Sequence, residues 1–359
     1  MSTMEESKID IKSFNLTELT ELLVSMGEKG FRAKQIYQWL HVKQVESFEE
    51  MTNIGKNLLQ KLEETCELVT LKKEAVQISK EDGTRKYLFL LADGNVIESV
   101  LMRYKHGNSV CISSQVGCRM GCRFCASTLD GLVRGLRPSE MLDQIYQIGK
   151  DIGERISNVV VMGTGEPMDN YDNLLRFIHM LSDENGLNIS QRNLTVSTCG
   201  IVPKMRELAD EGLQITLALS LHASSQEKRL ELMPVANKYE IHEVVEACRY
   251  YFEKTGRRVT FEYSLVGGVN DTEEDARALV ALIHGMNCHV NLIPVNPIKE
   301  RSYVQPNHEA ILNFKNRLEK NGINVTIRRE MGRDIDGACG QLRKRYMGSE
   351  SDRKEGSSR

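Results

Sequence analysis

An α/β fold built on a parallel sheet is what this chain predicts, and three patterns carry the expectation. From residue 109 onward, short β-branched runs alternate with stretches of helical periodicity. Just before them, two β-rich runs flank Asp93-Gly94, a strong hairpin signal. The segment from residue 14 to about 66 carries helical spacing alone. Six strand–helix units in series imply right-handed crossovers, and six are too few for a closed eight-fold barrel. The expected architecture is a partial (β/α)6 barrel, with a small helical N-terminal domain and a β-hairpin.

The elements follow in order. Leu16, Leu19, Leu22, Leu23 and Met26 share a helical face, Gly30 interrupts it, and "FRAKQIYQWLH" opens a second helix. "IGKNLLQKLEETC" predicts a third. The hairpin spans 84–104. Strands are expected at "SVCIS" (109–113), "NVVVM" (158–162), "NLTVS" (193–197), "QITLALS" (214–220), "RVTFEYS" (258–264) and "HVNLI" (289–293), with a last one at "NVTIRR" (324–329). Between them, Met141, Ile145, Ile148 and Ile152 share one helical face, and another helix carries Ile241, Val244, Val245, Cys248 and Phe252 and stops at Gly256. A further helix opens at Asp271 with Glu274 completing a capping box. This divides the chain into a helical domain over 1–83, a core over 84–346, and a tail over 347–359 that has nothing to bury and is expected to be disordered.

Composition narrows the function. The 359 residues are 40% apolar, enough for a sizeable core. No apolar run reaches the ~18 residues of a membrane span, and "MSTMEESKIDIKS" lacks the pattern of a signal peptide. The expected location is the cytoplasm, where thiols stay reduced and clustered cysteines bind metal or do redox chemistry. A net charge of −3 gives no global pull toward nucleic acid, so RNA contact would need local basic patches. Candidates are 29–44, 134–137 and 326–333.

The chemistry concentrates in "CISSQVGCRMGCRFCAS" (111–127), which holds four of the nine cysteines. Cys118, Cys122 and Cys125 can place three thiolates around one cluster. Zinc would want a fourth ligand from a second C-x-x-C or a histidine pair, and the chain has no second pair. Three thiolates on a 4Fe–4S cube leave one iron open to a cofactor, and Phe124 is placed to pack on a flat ring.

C-x-x-x-C-x-aromatic-C at the end of the first strand of a βα array resembles the radical S-adenosylmethionine (SAM) superfamily. With "GTGEPMDN", "STCG", "SLHA", "NLIPVNP" and "DIDGACGQL", the set is similar to the RlmN-type ribosomal and transfer RNA adenine C2-methyltransferases, over about residues 16–346. Each segment up to "NLIPVNP" lies just past a predicted strand, where parallel βα arrays build their active sites.

The resemblance implies a 4Fe–4S cluster on Cys118, Cys122 and Cys125. It implies SAM bound by Gly165, Glu166, Pro167, Ser197, Ser220, Leu221, His222 and Asn296. Glu166 would accept from the cationic methionyl amine, and Gly163 and Gly165 would let the backbone approach the ligand. Carbon 2 of adenine is electron-poor and cannot attack a methyl group, so the family works in two steps. One SAM methylates Cys339; a second is cleaved at the open iron, and the radical formed takes hydrogen from the S-methyl group. The carbon radical joins protein to RNA. Glu98 matches the acceptor of the carbon-2 proton, and Cys111 matches the thiol that releases the product through a disulfide with Cys339.

Implied partners are 23S rRNA at the peptidyl-transferase centre, adenine 37 of tRNA, and flavodoxin or ferredoxin as electron donor, with the chain acting as a monomer. Lys29, Arg32, Lys34 and Lys43 would meet phosphates, with Tyr37 and Trp39 as stacking faces. Cys66, Cys248 and Cys288 read as structural, and Cys199 as packing beside the site. Two alternatives stand beside this one: the sister group that methylates carbon 8, and a non-catalytic iron–sulfur or zinc RNA-binding protein. The latter would leave Cys111, Cys339 and Glu98 without a task.

Overall fold

Side chains alternate across a strand, so β-branched residues at every second position commit one face of each strand to an apolar layer. The computed structural model shows that layer, and describes residues 8–296 and 302–335 together with Leu342 and Tyr346. Cys339 and the tail 347–359 lie outside the described residues.

The N-terminal part folds around its own core. β1 (Ile9–Asp10) precedes α1 (Leu16–Ser25), α2 (Phe31–His41) and α3 (Lys56–Thr65), and β2 (Cys66–Glu67) pairs parallel with β1. Asn15 caps α1 in a reciprocal box with Glu18. Leu19, Leu23, Ile36, Leu40, Leu58 and Leu62 pack together.

Three antiparallel strands follow: β3 (Lys72–Ile78), β4 (Arg85–Leu90) and β5 (Val96–Tyr104). The expected hairpin is β4–β5, turning at Gly94 with φ +82°. β3 lies before residue 83 yet pairs with β4 in the main sheet, so the packing boundary falls earlier than the division drawn from helical periodicity. Its mostly solvated, charged residues hid it as a strand.

The parallel part begins at β6 (Gly107–Cys111). A small ribbon of β7 (Gln115–Gly117) and β8 (Leu132–Gly135) carries the cysteine loop and leads to α4 (Pro138–Ile152). Then come β9 (Ile156–Val161), α5 (Tyr171–Ser182), β10 (Leu194–Thr198), α6 (Val202–Asp210) and β11 (Thr216–Ser220). They are followed by α7 (Gln226–Leu232), α8 (Ile241–Thr255), β12 (Val259–Leu265), α9 (Glu273–Leu282), β13 (Cys288–Pro294), α10 (His308–Lys320) and β14 (Asn324–Ile327). The ten-stranded sheet runs β14-β13-β12-β11-β10-β9-β6-β5-β4-β3. From β6 to β14 all neighbours are parallel, giving the six expected units plus a closing strand. α8 ends at Gly256 in the left-handed region, as its pattern predicts. The box opening α9 is Thr272 with Asp275, one residue later than Asp271 and Glu274, because Asp271 instead accepts from the Gly268 N–H.

Helices cover the outer face. Val110, Val159, Val196, Leu217, Phe261 and Val290 point into a shared core with Ile145, Phe177, Leu208 and Tyr251. The registers put Ser109, Ser197, Ser220, Glu262 and Asn291 on the opposite, inner face.

A buried ion pair ties the N-terminal part to this core. Lys12 Nζ lies 3.2 Å from Asp143 Oδ1, both essentially out of contact with water, and Asp143 also accepts from the Leu71 N–H at 2.7 Å. Lys12→Met leaves Asp143 buried with one partner fewer, and should lower stability by about 3–5 kcal/mol in urea unfolding. Adding Asp143→Leu should recover part of that loss.

Candidate active site

The cysteine loop is shaped by glycine. Gly117 adopts φ +76°, and a Cβ there would lie 2.0 Å from the Gly131 carbonyl oxygen, so no other residue fits this crossing of the β7–β8 ribbon. Cys118 N–H donates to that same carbonyl at 2.9 Å. Cys125 N–H donates to Cys122 O at 3.1 Å, and Thr128 Oγ1 donates to both Cys122 O and Cys125 O. Arg123 N–H donates to Leu232 O, joining the loop to the end of α7. Cys122, Cys199, Leu232 and Met233 form a small apolar cluster, with Phe124 and Cys125 against it.

Burial first, then the charge of neighbouring acidic groups and of Cys125, pushes the Cys118 thiol up to about 12. Burial does the same to Cys122, with Cys125 and Cys118 adding to it. Ionising these thiols, two buried and Cys125 half-buried, would call for a cationic centre among them. The donors of Cys118, Cys122 and Cys125 are sulfur only, the ligand type that iron–sulfur clusters take. The trio therefore fits a thiolate-held iron–sulfur cluster, which is wider than one ion.

The loop after β9 packs on the strand beside it. Gly163 N–H donates to Ile112 O at 3.0 Å. A Cβ at Gly163 would meet that oxygen at 2.7 Å, and one at Gly165, where φ is +113°, would meet Gln115 Cβ at 2.6 Å. The expected close approach is thus to the neighbouring strand. Gln115 Oε1 accepts from the Glu166 N–H. The Glu166 carboxylate accepts from Met168 N–H at 3.1 Å and Cys199 N–H at 2.7 Å, joining the ends of β9 and β10. Its burial raises its proton affinity against these hydrogen bonds. Pro167 opens the short 3-10 turn that follows.

Ser197 and Ser220, on adjacent strands, come within 3.3 Å through their hydroxyls. Leu221 and His222 N–H groups both donate to Glu262 O. His222 sits at φ +56°, held because its Nδ1 accepts from the Ser264 N–H at 2.9 Å and its carbonyl from Asn270 Nδ2 at 2.8 Å. Phe124 meets the His222 ring edge-on at 4.7 Å between centroids, so the cysteine loop and the end of β11 touch. Burial, and then the charge of Arg229, drive His222 down to about 3, leaving it a neutral imidazole.

Glu98 is buried and forms an ion pair with Lys86 at 3.2 Å, where alternation alone would leave it on an exposed face. Val100, two residues on, pairs with Cys111. Cys111 lines a cavity of about 520 Å³ with Val100, Met102, Asn296, Arg329 and Ile335. Ile335 is four residues before Cys339 in the chain.

Lys86, Gln115, Arg229, Glu262 and Asn270 escaped sequence reasoning. For Lys86 and Glu262 a signal existed: each is a charge inside an otherwise apolar, aromatic strand run, "RKYLFL" and "VTFEYSL". Two expectations are corrected. Tyr37 is fully buried in the N-terminal core and offers no stacking face, because α2 turns it inward with Ile36 and Leu40. The 134–137 patch is spent internally: Arg134 pairs with Asp93 and Glu140, and Arg137 with Glu67. Trp39 is half-buried, donates to Asn53 Oδ1, and has Lys43 Nζ 3.3 Å from its ring centre.

Comparison with known proteins converges on one group. Residues 9–68 match the model for the ribosomal RNA large subunit methyltransferase N-terminal domain, and residues 112–281 match the radical SAM superfamily. A "probable dual-specificity RNA methyltransferase RlmN" from Lachnospira eligens is 69% identical over 338 residues, covering 94% of this chain and 97% of that protein. The chain belongs to the RlmN family of radical SAM RNA methyltransferases. A relative of the same description from Lachnoclostridium phytofermentans is 67% identical over 94% of the chain and 95% of its own length. The crystal structure of a radical SAM methyltransferase from Sphaerobacter thermophilus superposes with a TM-score of 0.89 at 40% identity, over 93% of this chain and 98% of that one. The chain is thus an RNA methyltransferase that uses a 4Fe–4S cluster and SAM. No helix among the described residues is long and apolar enough to cross a membrane.

The neutral His222 has a consequence for pH. Its folded pKa lies below the ordinary 6.5, so the unfolded chain binds a proton that the folded chain refuses. The stability this confers is present above about 6.5 and is lost as pH falls toward 3. His41, held near 3 by burial, adds in the same direction. His222→Gln should flatten the fall of urea-measured stability between about pH 6.5 and 4.

Proposed function

We propose that this chain methylates carbon 2 of one adenine in the peptidyl-transferase centre of 23S rRNA and of adenine 37 in tRNA. The observation that carries the reading is the cavity holding Cys111: its wall includes Gly332, Arg333 and Ile335, the segment leading to Cys339, while Glu98 stands on the strand paired with β6. In this reading the N-terminal helical part grips RNA, and the chain from β3 onward forms the radical SAM core. The protein works as a cytoplasmic monomer supplied with electrons by flavodoxin or ferredoxin.

Cys118, Cys122 and Cys125 would hold the cluster, and Gly165, Glu166, Pro167, Ser197, Ser220, Leu221, His222 and Asn296 would seat SAM. When bound, the cluster supplies the electron that cleaves SAM, leaving its open iron to position the cofactor. The committed carboxylate of Glu166 keeps the β9 and β10 loops together, so the ends of three adjacent strands present one rim. Neutral His222 adds no charge beside a cationic sulfonium.

Cys339 carries the methyl group to carbon 2. The radical adduct must lose one electron, which would return to the oxidised cluster, and one proton, which Glu98 accepts from carbon 2, with Lys86 fixing its carboxylate. The Cys111 thiolate then attacks the Cys339 sulfur: an S–S bond forms and the S–C bond to RNA breaks. The electron pair of that bond stays with the methyl carbon, which takes a proton and leaves as product. Each cycle therefore ends with a Cys111–Cys339 disulfide that a thiol reductant must reopen.

Cys111→Ala should form the protein–RNA adduct and stall, giving a nuclease-sensitive shift on a denaturing gel. Cys339→Ala, and the double variant, should show no shift. An adduct in Cys339→Ala would reverse the two roles. Mass spectrometry of the modified nucleoside distinguishes carbon 2 from carbon 8.

RNA grip rests on local charge. Lys29 and Lys34 are exposed and Arg32 half-exposed on and beside α2, and Arg329 and Arg333 are exposed at the cavity mouth. Replacing Lys29, Arg32 and Lys34 with Gln should weaken RNA binding and reduce its salt slope by about one unit per lost phosphate contact. SAM cleavage should persist, and an unchanged slope would remove this patch from the interface.

A further inference from the structure

Arg229 heads the fully buried side chains of the described residues by size, with no exposure to water. It projects from α7, the helix whose end is bonded to the cysteine loop through Arg123 N–H and Leu232 O. Its Nη2 donates to Cys199 O at 2.6 Å and its Nη1 to Tyr239 O at 3.4 Å, while Nε is buried with no hydrogen-bond partner. The titratable groups facing it are the thiols of Cys199, Cys122 and Cys248. The fold makes room for it: a Cβ on Gly200 would stand 3.2 Å from Nη2.

A buried cation with no acidic partner is strongly destabilising unless an anion belongs nearby. Cys199, whose carbonyl Arg229 holds, packs with Cys122, Leu232 and Met233, so the guanidinium is joined to the wall of the cysteine loop. Three thiolates and a cube carry net negative charge, and gaining an electron deepens it. Carbonyl contacts alone do not call for a guanidinium here, since a neutral amide could make them.

We propose that Arg229 is the buried counter-charge of the iron–sulfur cluster, set behind Cys122 and Cys199, and that it makes the cluster easier to reduce. The inference rests on the reading that Cys118, Cys122 and Cys125 hold that cluster. A fixed positive charge in a low-dielectric interior stabilises the reduced form more than the oxidised one. Arg229 is a positioning and tuning residue: it touches neither cluster nor SAM.

The test is a potentiometric titration of the reconstituted full-length chain, without RNA, following the reduced-cluster signal by electron paramagnetic resonance. Arg229→Gln keeps a donor for Cys199 O and removes the charge; Arg229→Lys keeps the charge. At the potential where the wild type is half reduced, Arg229→Gln should show an at least tenfold lower reduced-to-oxidised ratio, which is 59 mV for a one-electron couple. Arg229→Lys should stay within about threefold of the wild type, half of that 59 mV interval on a logarithmic scale. Iron content should be unchanged in both, and cluster-free Arg229→Gln should unfold no more easily than the cluster-free wild type. A wild-type potential in Arg229→Gln, or a Lys variant shifted as far as the Gln variant, overturns the proposal. So does a cluster-free Gln variant that fails to fold, because the guanidinium would then serve the clamp on residues 199–200. Failure of the wild type itself to take up iron would instead remove the cluster reading on which this rests.

Discussion

Four functional segments of this protein converge on one buried serine. Ser113 N–H donates to Gln144 Oε1 at 2.8 Å, and Gln144 Nε2 returns a bond to Ser113 O at 3.0 Å. The Ser113 hydroxyl donates to Glu98 O at 2.7 Å and accepts from the Thr164 N–H at 3.0 Å. One residue, through its hydroxyl and its backbone, thereby fixes the strand bearing Glu98, the entry to the cysteine loop, the Gly163–Pro167 loop and helix α4 at a common point. Such a fully satisfied buried network is rigid, because breaking any member strands the others without water to replace it. The relative placement of Glu98, Cys111 and the cluster cysteines depends on it.

Buried charges in the interior are resolved by ion pairs, by backbone N–H groups or by backbone carbonyls. Lys12 and Asp143 neutralise one another at the joint between the N-terminal part and the core. Lys86 and Glu98 do so on the inner face of the sheet. Glu166 is held by backbone N–H groups of two loops. Arg229 has carbonyls and the field of cysteine sulfurs. Three of these four lie around the strand ends or inner face of the sheet, the part of the fold proposed to seat SAM, as expected where burial tunes reactivity. The fourth sets the docking of the N-terminal part, so its value is mechanical.

RNA recognition by a chain of net charge −3 has to be local. The structure sharpens which basic residues are available. Those at 134 and 137 are consumed in ion pairs and Arg333 pairs with Glu330, while Lys29, Lys34 and Arg329 face solvent. A basic stretch in sequence therefore says little until its partners are known, since an arginine already holding two carboxylates has no fork left for phosphate.

The βα alternation, the hairpin at Asp93-Gly94 and the C-x-x-x-C-x-x-C loop were all legible in the amino-acid order. Each is a local pattern: side-chain period, turn chemistry and ligand spacing are set by residues a few positions apart. Charge-rich β3 was not legible, because its pairing is decided by β4. Nor was the burial of Glu98, which rests on a lysine twelve residues away on the adjoining strand. Tyr37 and Trp39 both read as stacking candidates, with a core role open for Trp39, and only the packing of α2 buried Tyr37 fully and left Trp39 half-buried against the same core. Arg229 is the extreme case: a lone arginine in "QEKRLEL" reads as a solvated helix face, and becomes a buried charge only when α7 is laid against the cysteine loop. Local spacing names the groups that can do chemistry; the desolvation and charge that tune them come from residues brought near by the sheet.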